Sequence, residues 1–151
     1  MAFPRYRIFF DTSVYIAALL SVQGAARELI RLAIAAAVQM VVSEKVITET
    51  DRVLAAKFPE LIQDSRGLWK ELSPEMAPHP NVRQLEPFYK KLPESDAEIL
   101  CAAHLAKVSA FVTWNTKDFM APGVESLVNF PIVIPADALK LFRKWIEPFL
   151  D

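Results

Sequence analysis

The chain has 151 residues, 53% of them hydrophobic and 23% charged, with a net charge of −1, and its length predicts one domain over residues 1–151. Gly24, Gly67 and Gly123 are too far apart for a dinucleotide fingerprint or a P-loop, and the lone Cys101 allows neither a disulfide framework nor a Cys-rich zinc site. His79 and His104 do not form H-E-x-x-H, so any chemistry here is expected to rest on carboxylates.

In chain order, Arg7 to Phe10 (RIFF) is a short apolar run ending at Asp11, the pattern of a buried strand. Asp11-Thr12-Ser13 then hands over to VYIAALL, read as the start of a helix. Leu29, Leu32, Ala33 and Ala36 recur at i, i+3, i+4 and i+7, which predicts an amphipathic helix over Ala25 to Val38. Met40 to Val42 reads as a second strand. Ser43 is the expected N-cap of a helix that runs to about Phe58, where Pro59 intervenes. Leu61 to Leu72 reads as another helix and the Pro-rich stretch Pro74 to Pro80 as a loop. Ser95 is the expected N-cap of a helix to about Lys107. Ala110 to Thr113 is a third strand, followed by a polar turn from Trp114 to Asp118. Ile132 to Ile134 is a last strand, and Pro135 opens a C-terminal helix at its first position.

Strands alternating with helices predict an α/β fold: a parallel sheet covered on both faces, with any site beyond the C-terminal ends of the strands. Asp11 and the Asn115–Asp118 turn both lie at such ends. No apolar run approaches the ~18–20 residues that span a bilayer. The apolar stretch after Arg5 and Arg7 is interrupted by Asp11, Thr12 and Ser13, which argues against a signal peptide and for a cytoplasmic protein.

Helical geometry sorts the acids. On the Ser43–Phe58 helix the apolar face is Val46, Thr50, Val53, Leu54 and the stem of Lys57, with Glu49 at its edge and Glu44 and Asp51 facing water. On the Ser95–Lys107 helix, Asp96 shares a face with Ile99, Leu100 and Ala103, while Glu98 projects the other way. Each carboxylate taken singly has a structural explanation: Asp96 suits a helix N-terminus, and Asp11 suits a cap. Together they point to convergence at one end of the sheet. Clustered carboxylates need a counter-charge, and a hard divalent cation with phosphate-ester chemistry is the natural remedy.

Three blocks of the chain resemble the PIN-domain family, more closely its toxin-like, VapC-type ribonucleases. "FFDTSVYIAALL" (Phe9 to Leu20) carries Asp11 and Ser13, "VVSEKVITETDRVL" (Val41 to Leu54) carries Glu49, and "SDAEILCAAHLAKVSAFVTWNTKDF" (Ser95 to Phe119) carries Asp96 and the T-x-N-x-x-D-F turn. The resemblance implies a three-layer α/β/α fold with a central parallel sheet and a Mg²⁺- or Mn²⁺-dependent endoribonuclease. It also implies a cognate antitoxin protein as partner and a homodimer. Asp11, Glu49, Asp96 and Asp118 take the catalytic acidic positions, and the same acids with Asn115 take the metal-ligand positions. Asn115 departs from the family pattern, in which many relatives carry Asp.

Ser13 and Thr113 are candidate hydrogen-bond donors to substrate or merely local caps. Trp114 either stacks on an unpaired base or packs against the last helix, whereas Cys101 and His104 read as core packing. That last helix, apolar for its length, either covers the sheet or offers a surface to a second subunit. Arg27, Arg31, Arg52, Lys90, Lys91 and Lys117 are the cations available to an RNA backbone. A PIN-like module that binds RNA or a partner without cleaving is the alternative reading, kept open by Asn115. An aspartyl-phosphate phosphatase would carry a second Asp two positions after the first, where Ser13 stands.

Overall fold

The computed structural model describes residues 5–150. Five strands, β1 (Arg7–Phe10), β2 (Gln39–Val42), β3 (Glu75–Met76), β4 (Ala110–Val112) and β5 (Ile132–Val133), form one parallel sheet in the order β3-β2-β1-β4-β5. Eight helices cover it: α1 (Thr12–Leu20), α2 (Ala25–Ile34), α3 (Glu44–Lys57), α4 (Ile62–Leu72), α5 (Val82–Tyr89), α6 (Glu94–Ala106), α7 (Thr116–Phe119) and α8 (Pro135–Ile146). The architecture is the three-layer α/β/α fold expected from the alternation of elements.

The central strands β1, β2 and β4 are short and buried along nearly their whole length, as a sheet with helices on both faces requires. Phe9 pairs in register with Phe111, and their rings stack at 5.5 Å with Phe119 packed on Phe111 at 4.9 Å. The chain leaves β1 toward β2 and later returns on the other side of β1 as β4. Strand order therefore reverses between β1 and β4, and the crevice beyond their C-terminal ends is the place such folds reserve for ligands.

Several boundaries differ from the sequence reading. The helix expected to reach Val38 ends at Ile34, because Ala36 adopts a left-handed conformation (φ 64°) that turns the chain back into β2; Ala37 N–H closes the turn on Leu32 O at 2.8 Å. Within the Pro-rich stretch read as a loop, Glu75 and Met76 add a parallel edge strand to β2. Both residues are exposed, so no hydrophobic pattern marked them, and pairing with β2 alone defines the strand. Helix α5 was not expected. It is set by a reciprocal cap between Asn81 and Gln84, and Leu85 and Phe88 bury its inner face despite the interior Pro87.

Helix α6 begins at Glu94 rather than after Ser95. Pro93 is its N-cap and provides no side-chain bond, which puts Ser95 inside the first turn. Ser43 caps α3 as expected by accepting from Val46 N–H. Lys57, read as part of the apolar face, is exposed. The second half of the polar turn, with Phe119 after it, closes into α7, and Ile134 serves as the N-cap of α8 rather than as strand. Helix α8 packs against α2 and β4 through buried Ala138 and Phe142 and covers the sheet there. Tyr6, Phe142 and Trp145 form an aromatic cluster beneath it.

Candidate active site

Asp11 is the first residue past β1. Its N–H continues the strand ladder by donating to Val112 O at 3.1 Å, and its side chain is only 4% exposed. Both carboxylate oxygens accept hydroxyls: Ser13 Oγ donates to Oδ1 at 2.6 Å and Thr113 Oγ1 to Oδ2 at 2.8 Å. The same hydroxyls hold the segment after β4, since Ser13 Oγ accepts from Trp114 N–H at 3.0 Å and Thr113 Oγ1 from Asn115 N–H at 2.8 Å. One carboxylate and two hydroxyls thus lock the ends of β1 and β4 together.

Helix α3 brings Glu49, whose Oε2 accepts from Thr12 Oγ1 at 3.1 Å. Helix α6 brings Asp96. Asn115 Nδ2 donates to Asp118 Oδ2 at 3.0 Å and reaches toward Asp96 Oδ2 at 3.5 Å, while Asn115 Oδ1 caps α7 by accepting from Asp118 N–H. Asp11, Ser13, Glu49, Asp96 and Asn115 line one cleft of ≈ 380 Å³ with Thr12. Ile16, Val53 and Ile99 supply its apolar wall. Asp118 is not among the residues that line the cleft; it adjoins them, accepting from Asn115 and lying beside Asp96. Thr12 and the three apolar residues were missed in the sequence, although Thr12 was signalled by its place between two site residues.

Electrostatics follow from this crowding. Burial pushes the Asp11 carboxyl up to about 6, against the opposing bonds from Ser13 and Thr113. Burial, then the neighbouring Asp118 carboxyl, pushes Asp96 up to about 7. Asp118 is held below the usual carboxylate range by the bond from Asn115 and the one shared with Asp96. No Lys or Arg lines the cleft among the described residues; Arg52 approaches Glu49 only at 4.0 Å through an exposed side chain.

The donor set is carboxylate, hydroxyl and amide oxygen, which fits a hard divalent cation. Among the described residues, no three His, Cys, Asp or Glu side chains are already gathered tightly enough to hold a metal ion by themselves. A larger cavity of ≈ 470 Å³ lies between α3, the β3–α5 connection and α6. Lys45 in its lining already pairs with Glu98 at 3.1 Å, and it gathers no cluster of acids, so the smaller acidic cleft is the better candidate.

Other expectations resolve here. Cys101 is buried, and burial pushes its thiol up to about 11. His104 is half-buried with its ring against Phe88 at 5.6 Å. Of the six cations singled out, Arg52 and Lys117 lie on elements of the site, whereas Arg27 and Arg31 line a separate groove between α2 and α4. Trp114 is 48% exposed, and no ring–ring pair among the described residues includes it.

The acidic cleft lies at the point of strand reversal, where open α/β sheets bind their ligands. The PIN-domain family model matches residues 7–117, and the chain belongs to that family. No curated protein matches the sequence. Several solved structures share the fold, and two illustrate it. One is VapBC2 from Rickettsia felis bound to a DNA fragment from their promoter, with TM-score 0.61 and 13% identity over 84% of this chain and 98% of that one. The other is PAE2754 from Pyrobaculum aerophilum, with TM-score 0.59 and 16% identity over 91% of this chain and 98% of that one. Among the described residues, no helix is long and apolar enough to cross a membrane.

Proposed function

We propose that this protein is a Mg²⁺- or Mn²⁺-dependent endoribonuclease that hydrolyses RNA phosphodiesters and is the toxin of a toxin–antitoxin pair. The observation that carries the reading is the convergence of Asp11, Glu49 and Asp96 in a cleft with no basic side chain in its lining. Asp11 and Asp96 would hold the principal ion, directly or through water. Asn115 and Asp118 would close the far side. With no three carboxylates preassembled, the ion would keep several waters, as Mg²⁺ does at sites of one or two carboxylates. When bound, such an ion supplies charge neutralisation at the phosphate and a more acidic water.

The protein's own groups do the rest. Ser13 and Thr113 fix the orientation of Asp11, so its carboxylate needs no rearrangement to receive a cation. Above about pH 6 Asp11 is ionised, which suits an acid that must be charged at neutral pH. Thr12 holds Glu49 on the cleft wall, positioned to complete the acidic shell or to orient the attacking water. Burial and the neighbouring Asp118 favour the protonated form of Asp96, and a cation held there would favour its ionised form.

Family membership and the likeness to VapBC2 support a small antitoxin protein as partner. Homodimerisation and action on cytoplasmic RNA follow from the same family likeness. The test is cleavage of RNA across a Mg²⁺ or Mn²⁺ titration by wild type, Asp11→Asn and Asp96→Asn. Metal-dependent cleavage lost in both variants supports the reading, and cleavage indifferent to both overturns it. One observation favours a second reading, a binding module without nuclease activity: Asn115 commits its amide to Asp96 and Asp118 where a carboxylate would add a ligand. Metal and RNA binding without cleavage of any RNA would select that reading.

A further inference from the structure

The carboxamide of Asn115 can turn either end toward the acids, and its surroundings decide which. At one end it faces the N–H of Asp118 at 3.3 Å, a group that can only donate, so the atom there is Oδ1. The other end is then Nδ2, which carries two hydrogens and accepts nothing. It meets two carboxylates, Asp118 Oδ2 at 3.0 Å and Asp96 Oδ2 at 3.5 Å. The opposite orientation would set an NH₂ against an N–H and an oxygen against two carboxylate oxygens. Both neighbours therefore select the same orientation. The backbone beneath is held as well, because Asn115 N–H donates to Thr113 Oγ1, a buried hydroxyl bonded to Asp11.

Two carboxylates that share a site need positive charge or donors beside them. For Asp96 and Asp118 the Asn115 amide already fills that role, offering hydrogens where a cation would be offered oxygen. An ion entering there would have to break both contacts and would find no lone pair on Nδ2. Asp11 and Glu49 stand differently. Their partners are single hydroxyls, from Ser13 and Thr113 on Asp11 and from Thr12 on Glu49, and each carboxylate keeps lone pairs for a metal. Phosphodiester hydrolysis at acidic sites runs with one ion or with two, the pair bracketing the attacking and leaving oxygens.

We propose that the cleft takes a single divalent ion, on the side of Asp11 and Glu49, and that the Asn115 amide occupies the second cation position, beside Asp96 and Asp118. This rests on the metal-dependent nuclease reading of the cleft. Asn115→Asp keeps the size and shape of the side chain, removes both donors and adds a ligand oxygen, so it should open the second position.

The test counts ions rather than turnover. Mn²⁺ binding at neutral pH is measured by isothermal titration calorimetry and electron paramagnetic resonance, with RNA cleavage followed in parallel. The proteins are wild type, Asn115→Asp, and Asn115→Asp combined with Asp118→Asn, and circular dichroism in EDTA establishes which are folded. Wild type is expected to bind one Mn²⁺ per chain, with the resolved hyperfine pattern of an isolated ion. Asn115→Asp is expected to bind two, with a signal broadened by coupling between neighbouring ions. Adding Asp118→Asn should return the count to one, because an amide again stands among the carboxylates. Wild type that cleaves RNA but binds two ions overturns this inference and leaves the nuclease reading intact, whether or not either variant folds. Folded Asn115→Asp that still binds one ion does the same. Wild type that binds no Mn²⁺ and cleaves no RNA overturns the nuclease reading and this inference with it.

Discussion

Asp11 is ordered by its surroundings and penalised by them. Its ordinary value is 3.8 and burial raises it to about 6, so the folded protein holds an extra proton between those two pH values. The metal-free protein should therefore lose stability as pH rises through that window, with the penalty complete above about pH 6; Asp96, raised in the same direction, adds to it. Asp11→Asn should remove that burden. Thermal denaturation in EDTA should show the variant about 1–2 kcal/mol more stable than wild type at pH 7, with the gain shrinking toward pH 4. An identical pH dependence in both proteins would contradict the account. Thr113→Val tests the other side of the bond. It keeps the shape but strips a buried donor from Asp11 and an acceptor from Asn115 N–H, and urea unfolding should register a loss of about 1–3 kcal/mol.

At the scale of elements, the site is delivered by four segments that share no local sequence signal: the end of β1, the middle of α3, the start of α6 and the turn after β4. Helix α3 is set by its cap. Ser43 is buried and accepts from Val46 N–H at 3.2 Å, which fixes where the helix begins and hence where Glu49 falls one and a half turns later. Ser43→Ala should cost about 1 kcal/mol in urea unfolding, with rescue by Ser43→Thr or Ser43→Asp. A loss near zero would mean that packing of Val46, Thr50 and Leu54 alone holds the register. Helix α5 shows the limit of pattern reading. Its interior Pro87 argues against a helix, yet the Asn81–Gln84 cap and the burial of Leu85 and Phe88 outweigh one missing N–H.

At the scale of the molecule, acidic groups brought together without a cation store unfavourable free energy that a ligand can release. Mg²⁺ or Mn²⁺ should therefore raise the melting temperature at pH 7, by about 5–10 °C at a hundredfold excess over its dissociation constant. At pH 5 the shift should be much smaller, because protons occupy Asp11 and Asp96 and compete with the ion. Calorimetry or dye-based melting at the two pH values checks this. An equal shift at both would place the ion on other groups. The core beneath, Phe9 on Phe111 on Phe119, ties β1, β4 and α7 into one unit, so the strand ends cannot separate without opening that stack.

By itself, the sequence determined the strands that end at Asp11 and Thr113, the helices that carry Glu49 and Asp96, and hence which acids were worth weighing. These are local matters of hydrophobic period and of residues adjoining an apolar run, and a linear chain displays them. Family resemblance added the grouping. Only the tertiary structure decided that Thr12 braces Glu49, that Asp118 accepts from Asn115 beside Asp96, and that Trp114 is left half exposed. It also decided that Glu75 and Met76 form a strand, since an exposed pair of residues becomes one only by hydrogen bonding to β2. The physical reason is common to all of these. Hydrogen-bond partners and burial belong to pairs of residues distant in the chain, such as Thr113 and Asp11, and no local pattern encodes which neighbour the fold will supply.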